Sequence, residues 1–151
     1  MKTYKLEAKL ELPIPIDEAW DFFSNPNNLS KIMPKSMKFK VIDGATLPLY
    51  CGQVIQYTVT PLPFFNTTWL SEINYIQKPN FFVDTQLEGP YKLWHHKHYL
   101  EAIPNGTLVT DIVHYQVPFG VLGRLLHPVI IKPKLAKIFE YRTKHITSLF
   151  N

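Results

Sequence analysis

The chain has 151 residues, 46% hydrophobic and 19% charged, with a formal net charge of +4. That length suits one domain able to bury roughly two thirds of its unfolded surface, and the composition excludes a disordered or low-complexity polypeptide. The single cysteine, Cys51, excludes an intrachain disulfide and makes a reducing cytoplasm the expected compartment.

The N-terminus enters an alternating strand pattern without an apolar signal core, and no run approaches the ~18 apolar residues of a membrane span. Ten Phe, eight Tyr and three Trp suit a large apolar interior or a cavity lining. The charge is uneven. Val121 onward carries Arg124, Lys132, Lys134, Lys137, Arg142 and Lys144 against the single acid Glu140. Such a run reads as a solvated outer helix face; contact with phosphates is the alternative, and no nucleic-acid motif supports it.

Thr3–Pro13 alternates, with Tyr4, Leu6, Ala8, Leu10 and Leu12 on one face, which predicts a half-buried strand. Asp17-Glu18-Ala19-Trp20-Asp21-Phe22-Phe23 opens a short helix whose acids lie near its positive end. Asn25 as N-cap and Pro26 in the first turn start a second one, carrying Leu29, Ile32 and Met33 inward as far as Pro34. Six strands follow, at Met37–Ile42, Gln53–Thr60, Thr67–Ile76, Phe81–Leu87, Lys92–Ala102 and Thr107–Val117. Cys51, just ahead of the second of them, reads as a small buried residue. From Val121 to Phe150 the period is helical, with Leu122, Leu125, Leu126, Val129, Ala136, Phe139 and Ile146 on a broad apolar stripe. Pro128 and Pro133 inside it predict a kink or a break.

Residues 93–117 carry the most chemistry. Asn105-Gly106 is a strong hairpin signal, because a type I′ turn needs φ > 0 at both central residues. With those two as the turn, Leu100 opposes Asp111, His98 opposes Val113, His96 opposes Tyr115 and Trp94 opposes Val117, all on one face. Two imidazoles, a carboxylate and a phenol among four apolar groups read as the wall of a pocket.

The chain resembles the START-like (SRPBCC, birch-pollen-allergen-like) superfamily over essentially its full length. The resemblance rests on Pro15-Ile16-Asp17-Glu18-Ala19-Trp20-Asp21-Phe22-Phe23-Ser24-Asn25-Pro26 with Leu29 and Pro34. It rests also on Phe82-x-Asp84-x-Gln86-x-x-Gly89-Pro90-Tyr91-x-x-Trp94-x-His96-x-His98, on Gly106-Thr107 with Asp111 and Tyr115, and on Pro118-x-Gly120. The second set is similar to a bacterial subgroup labelled polyketide-cyclase-like. The resemblance implies an α+β helix-grip fold, a curved antiparallel sheet of about seven strands around a long C-terminal helix. It also implies an internal cavity for an apolar small molecule or lipid.

Within that frame the expected ligand contacts are Trp94, His96, His98, Asp111, Tyr115, Phe81 and Phe139. His96-x-His98 with Asp111, diagonal to His98, offers a two-His-one-carboxylate donor set, but neighbouring same-face positions are roughly 6–7 Å apart at Cα. A polar network is the favoured reading, with Asp111 fixing one imidazole's tautomer and Tyr115 supplying a hydroxyl; no metal or cofactor is expected. Contact with a ligand and simple satisfaction of buried strand residues remain equal alternatives for this network. Asp84 and Gln86 lie on the preceding strand, with their face left open by the Gly89-Pro90 turn. No nucleophile elbow, phosphate loop or Cys-x-x-Cys pair is present, so catalysis, if any, is cyclase- or isomerase-like acid–base chemistry at the His pair. A protein-interaction module is the third reading. Pro61-Leu62-Pro63-Phe64-Phe65-Asn66 reads as an apolar lid or a lipid- or partner-touching tip, so peripheral membrane contact belongs to the expectation.

Overall fold

The computed structural model describes residues 1–151. Strand β1 (Tyr4–Leu12) alternates in burial as its sequence alternates in polarity. Helix α1 (Ile16–Phe23) follows Pro15, with Asp17 and Glu18 in its first turn. Asn25 then accepts a hydrogen bond from the Asn27 N–H and Pro26 opens a 3₁₀ turn, Pro26–Asn28, which runs directly into α2 (Leu29–Ile32). A second 3₁₀ turn, Lys35–Met37, leads to β2 (Lys40–Asp43), β3 (Val54–Leu62), β4 (Phe65–Gln77), β5 (Phe81–Glu88), β6 (Leu93–Ile103) and β7 (Gly106–Gln116). The chain ends in α3 (Gly120–Leu126), a π-helical stretch His127–Ile131, and α4 (Lys132–Phe150).

All seven strands form one antiparallel sheet in the order β1-β7-β6-β5-β4-β3-β2. Three buried clusters pack on the sheet; Ile55, Tyr57 and Ile73 form the one on β3 and β4, and the other two join the sheet to helices. Leu12, Ala19, Trp20, Phe82, Val109 and Ile146 join α1 and the second half of α4 to the sheet. Trp94, Val113, Tyr115, Val117, Leu135 and Phe139 join the first half of α4 to it. The buried positions of α4 are Leu135, Phe139, Arg142 and Ile146, a 4-3-4 spacing that keeps one stripe on the sheet. The two prolines interrupt the helix where expected: Pro128 lies in the first turn of the π-helical stretch and Pro133 in the first turn of α4.

Three expectations change. The hairpin turn is Pro104-Asn105, because Ile103 pairs with Gly106. Proline cannot take φ > 0, so a type I′ turn is closed to it. The register moves by two residues: His98 opposes Asp111, His96 opposes Val113 and Trp94 opposes Tyr115. A shift of two preserves parity, so the predicted inward set keeps its face. Second, Leu122, Leu125 and Val129 point into solvent; the buried residues of that region are Gly123 and His127. Gly123 is required there, because a Cβ would collide with the Pro118 carbonyl.

Third, Cys51 is exposed, in the turn before β3. Its thiol is therefore expected to react fully with a disulfide reagent such as dithionitrobenzoate in the native protein, without denaturant. Reaction only after unfolding would place it inside.

Candidate functional site

Four inner-face positions on three adjacent strands meet beneath α4. β5 supplies Asp84 between inward Phe82 and Gln86, β6 supplies His96 and His98, and β7 supplies Asp111. Their side chains form one chain of contacts. His96 Nε2 lies 2.7 Å from Asp111 Oδ1, and His98 Nε2 lies 2.6 Å from Asp84 Oδ2. The other nitrogen of His98, Nδ1, is 3.2 Å from the same Asp111 Oδ1. The two imidazoles stack at 3.7 Å, and Phe82 covers the outer face of His98 at 4.2 Å and 11°. Arg142, buried on α4, brings Nη1 to 3.7 Å from Asp111 Oδ2 while its guanidinium lies over the Phe139 ring.

The protons follow from this geometry. An ionised carboxylate only accepts, so His98, facing a carboxylate on each side, satisfies both by carrying hydrogen on both nitrogens. Burial opposes that charge, but the bonds to Asp111 and Asp84 outweigh it and hold the His98 pKa above its ordinary value. Burial would likewise raise Asp111, yet the Arg142 charge and the bonds from His96 and His98 hold it well below the usual carboxylate range. Asp84 is also lowered, burial being outweighed by the bond and charge of His98. His96 is pushed down, first by burial and then by the charge on His98, against the pull of Asp111. It is therefore the neutral member, donating from Nε2 and keeping a lone pair on Nδ1. Two carboxylates, one imidazolium and one guanidinium balance to zero net charge, which is the condition for burying such a set at tolerable cost.

The donor atoms of Asp84, His96 and His98 lie within 4.8 Å of one another, so the residue types of a cation site are gathered here. Nε2 of each imidazole already holds a hydrogen bond to a carboxylate, and Arg142 brings a positive charge to Asp111.

A second pair stands apart from the network. The Tyr115 hydroxyl is 2.7 Å from His127 Nε2, and His127 stacks on Tyr4 at 3.5 Å. Burial raises Tyr115 and lowers His127, the latter helped by Lys132 and Lys2, so the phenol donates and the neutral ring accepts. Tyr115 thus serves His127 instead of the His96–His98 network.

Two spaces adjoin these groups. Ala8, Leu10, Val109, Asp111, Phe139 and Arg142 help enclose about 10 Å³, the room of one water, and Arg142 Nε is buried there without a hydrogen-bond partner. Between β1 and the start of α4 runs a groove of about 540 Å³, with Tyr4, Leu6, Ala8, Tyr115, His127 and Phe139 in its lining. Of the sequence-predicted contacts, Tyr115 and Phe139 line the groove, Asp111 borders the small space, and His96 and His98 border neither. Trp94 faces inward, in an aromatic cluster with Trp69 and Tyr91. Phe81 does not belong to the site. It lies on the outer face between Tyr75 and Tyr99, stacked on the first at 5.1 Å, and its neighbour Phe82 takes the inner position.

Sequence reasoning left Asp84 open and missed Arg142 and Phe82. The signal for the first was Phe82-x-Asp84-x-Gln86 itself, whose alternation runs in phase with Trp94-x-His96-x-His98 once the strands are paired. Arg142 reads as one more surface base until it is aligned with Leu135, Phe139 and Ile146.

No family model and no curated protein matches the sequence. Solved structures match the fold over nearly the whole chain. Ginseng major latex-like protein 151 from Panax ginseng superposes with a TM-score of 0.70 at 15% identity, covering 98% of this chain and 97% of its own. Protein TTHA0849 from Thermus thermophilus gives 0.70 at 12% identity, with 99% and 100% covered. Protein Ms6760 from Mycobacterium smegmatis gives 0.66 at 15%, with 99% and 98% covered. At these identities the likeness is one of fold.

Proposed function

We propose that this chain, whose fold is the START-like helix grip, binds an elongated apolar small molecule or lipid. Its place is the groove between β1 and α4, with the Tyr115–His127 pair meeting a polar group of the ligand. The observation that carries the reading is the groove itself. About 540 Å³ lies within the range of small-molecule sites, and Leu6, Ala8, Ala136 and Phe139 meet there with the hydroxyl–imidazole pair, alongside the charged Lys5, Glu7, Lys9, Lys132 and Glu140. The Asp84–His98–Asp111–His96 network enters this reading as the charged floor that sets the strand geometry behind Phe139. His96 and His98 border neither the groove nor the small space beside Asp111.

Ala136 lines the groove from α4 and is exposed, so a large side chain can be placed there without touching the core. Ala136→Trp is expected to weaken binding of the apolar probe anilinonaphthalene sulfonate at least tenfold, with the melting temperature unchanged. Mass spectrometry of small molecules extracted from the natively purified protein is expected to find an apolar compound in the wild type and to find it depleted in the variant. Equal probe binding by both proteins would assign the ligand elsewhere.

A further inference from the structure

The helix that should have turned its apolar stripe inward turns it outward. Phe119 is 80% exposed, Leu125 67% and Val129 74%, and Val121 and Leu122 accompany them. Leu122, Leu125, Leu126 and Val129 follow the i, i+3, i+4, i+7 pattern of one helical face. The segment touches the body along the opposite edge, at Gly123 and His127. An exposed contiguous apolar face of this kind needs a partner.

Charge identifies the partner. From Val117 to Phe139 there is no Asp or Glu, and Arg124, Lys132, Lys134 and Lys137 lie among or just after the apolar residues. A second copy docking through a two-fold axis would set this positive surface against itself. A surface of anionic headgroups over hydrocarbon complements both halves, apolar to apolar and ammonium to phosphate.

A second element points the same way. Strands β3 and β7 run parallel, being separated by three strands of alternating direction, so both end at the same end of the sheet. The β3–β4 turn presents Phe64 fully exposed, and the β7–α3 turn presents Phe119. Both phenylalanines hold φ = 64°. A bulky side chain in that region is strained, and neither ring gains packing within the protein for it.

We propose that the 119–131 segment, with the Phe64 tip at the same end of the sheet, is a docking face for a bilayer surface carrying anionic lipid. The apolar residues enter the headgroup–acyl boundary, and Arg124, Lys132 and Lys134 pair with lipid phosphates. This surface borders the groove at His127 and Lys132, while its apolar residues Leu122, Leu125 and Val129 lie outside the groove lining.

The test is co-sedimentation with vesicles of phosphatidylcholine alone and with about a third phosphatidylserine. The wild type is expected to bind the anionic vesicles and to be released by high salt. Leu125→Glu with Val129→Glu is expected to abolish binding. Arg124→Gln with Lys132→Gln and Lys134→Gln is expected to weaken it about a hundredfold, at roughly one unit of surface attraction per base. Both variants alter exposed residues, so circular dichroism melts should match the wild type. A polarity-sensitive fluorophore on Val129→Cys, in a Cys51→Ser background, is expected to report transfer to an apolar medium when anionic vesicles are added. Three results would overturn the proposal. They are no binding by the folded wild type, vesicle binding unaffected by the glutamates, or a solution dimer that the glutamates split while vesicles are ignored, which would give the face to a second copy.

Discussion

Asp111→Ala is expected to lower the free energy of unfolding by about 3–5 kcal/mol in urea titrations near neutral pH, because it strands buried positive charge. Asp111 accepts from His96, faces Nδ1 of His98 and is the carboxylate nearest Arg142. Without it the His98 imidazolium keeps one carboxylate, and a buried guanidinium keeps none within ion-pair distance. Asp111→Asn preserves the volume and an acceptor for His96, so the share of the loss that it reproduces measures charge rather than packing.

The pH profile separates the members of the network. His98, raised in the fold, contributes stability that is complete below about 6.5 and is lost as the pH climbs through its raised value. His96, lowered in the fold, contributes above about 6.5 and loses that contribution as the pH falls through its lowered value. Asp84 and Asp111 contribute above about 3.9 and fail on acidification through their folded values. The wild type is therefore expected to lose stability on the alkaline side as His98 deprotonates, and Asp111→Ala to flatten that limb. A cost below about 1 kcal/mol together with an unchanged profile would remove the charge-balanced network from the account.

Phe82→Ala is the second large expectation, at about 3–5 kcal/mol. The ring is 4% exposed, stacks on His98 and meets the Trp20 ring edge-on at 5.7 Å, so its removal opens a cavity where the core joins the charged network. It also strips the π-face from the imidazolium. Phe82→Leu should recover more than half of the loss by filling the space without restoring the stack. Because Phe82 and Asp111 both touch His98, the double variant is expected to cost less than the two singles combined. A Phe82→Ala cost within about 0.5 kcal/mol of zero would contradict the inward placement. The corresponding change at Phe81, on the outer face, is expected to cost less than half as much.

The faces of the hairpin could be read from sequence because strand parity survives errors of even register. Trp94, His96, His98, Asp111 and Tyr115 kept their side although the turn was misplaced by Pro104. Partners within the face were less legible. Spacing pairs Tyr115 with the histidines of its own hairpin, yet its hydroxyl reaches His127 beyond the sheet, and nothing in local spacing encodes that. Phe81 and Phe82 illustrate the same limit: adjacent identical residues carry no pattern, and the choice between them depends on pairing with β6. The helical stripe holds at Phe139 and Ile146 and departs at Leu122, Leu125 and Val129 for a different reason. Apolar periodicity says which residues share a face, while the seam with the body was set by a glycine and a histidine that hydropathy passes over.

The place of β1 at the sheet edge has a kinetic meaning. Tyr4 pairs with Tyr115 and Leu12 with Thr107, so the first strand finds its only neighbour about a hundred positions later. At roughly 5–20 residues per second of synthesis, β1 waits several seconds or longer before β7 exists to receive it. Closure of so long a loop also makes this pairing a late step in refolding. During that wait its inner row of Tyr4, Leu6, Ala8, Leu10 and Leu12 is uncovered. The intervening Lys5, Glu7, Lys9 and Glu11 then protect the nascent chain by making an unpaired strand a poor template for other strands.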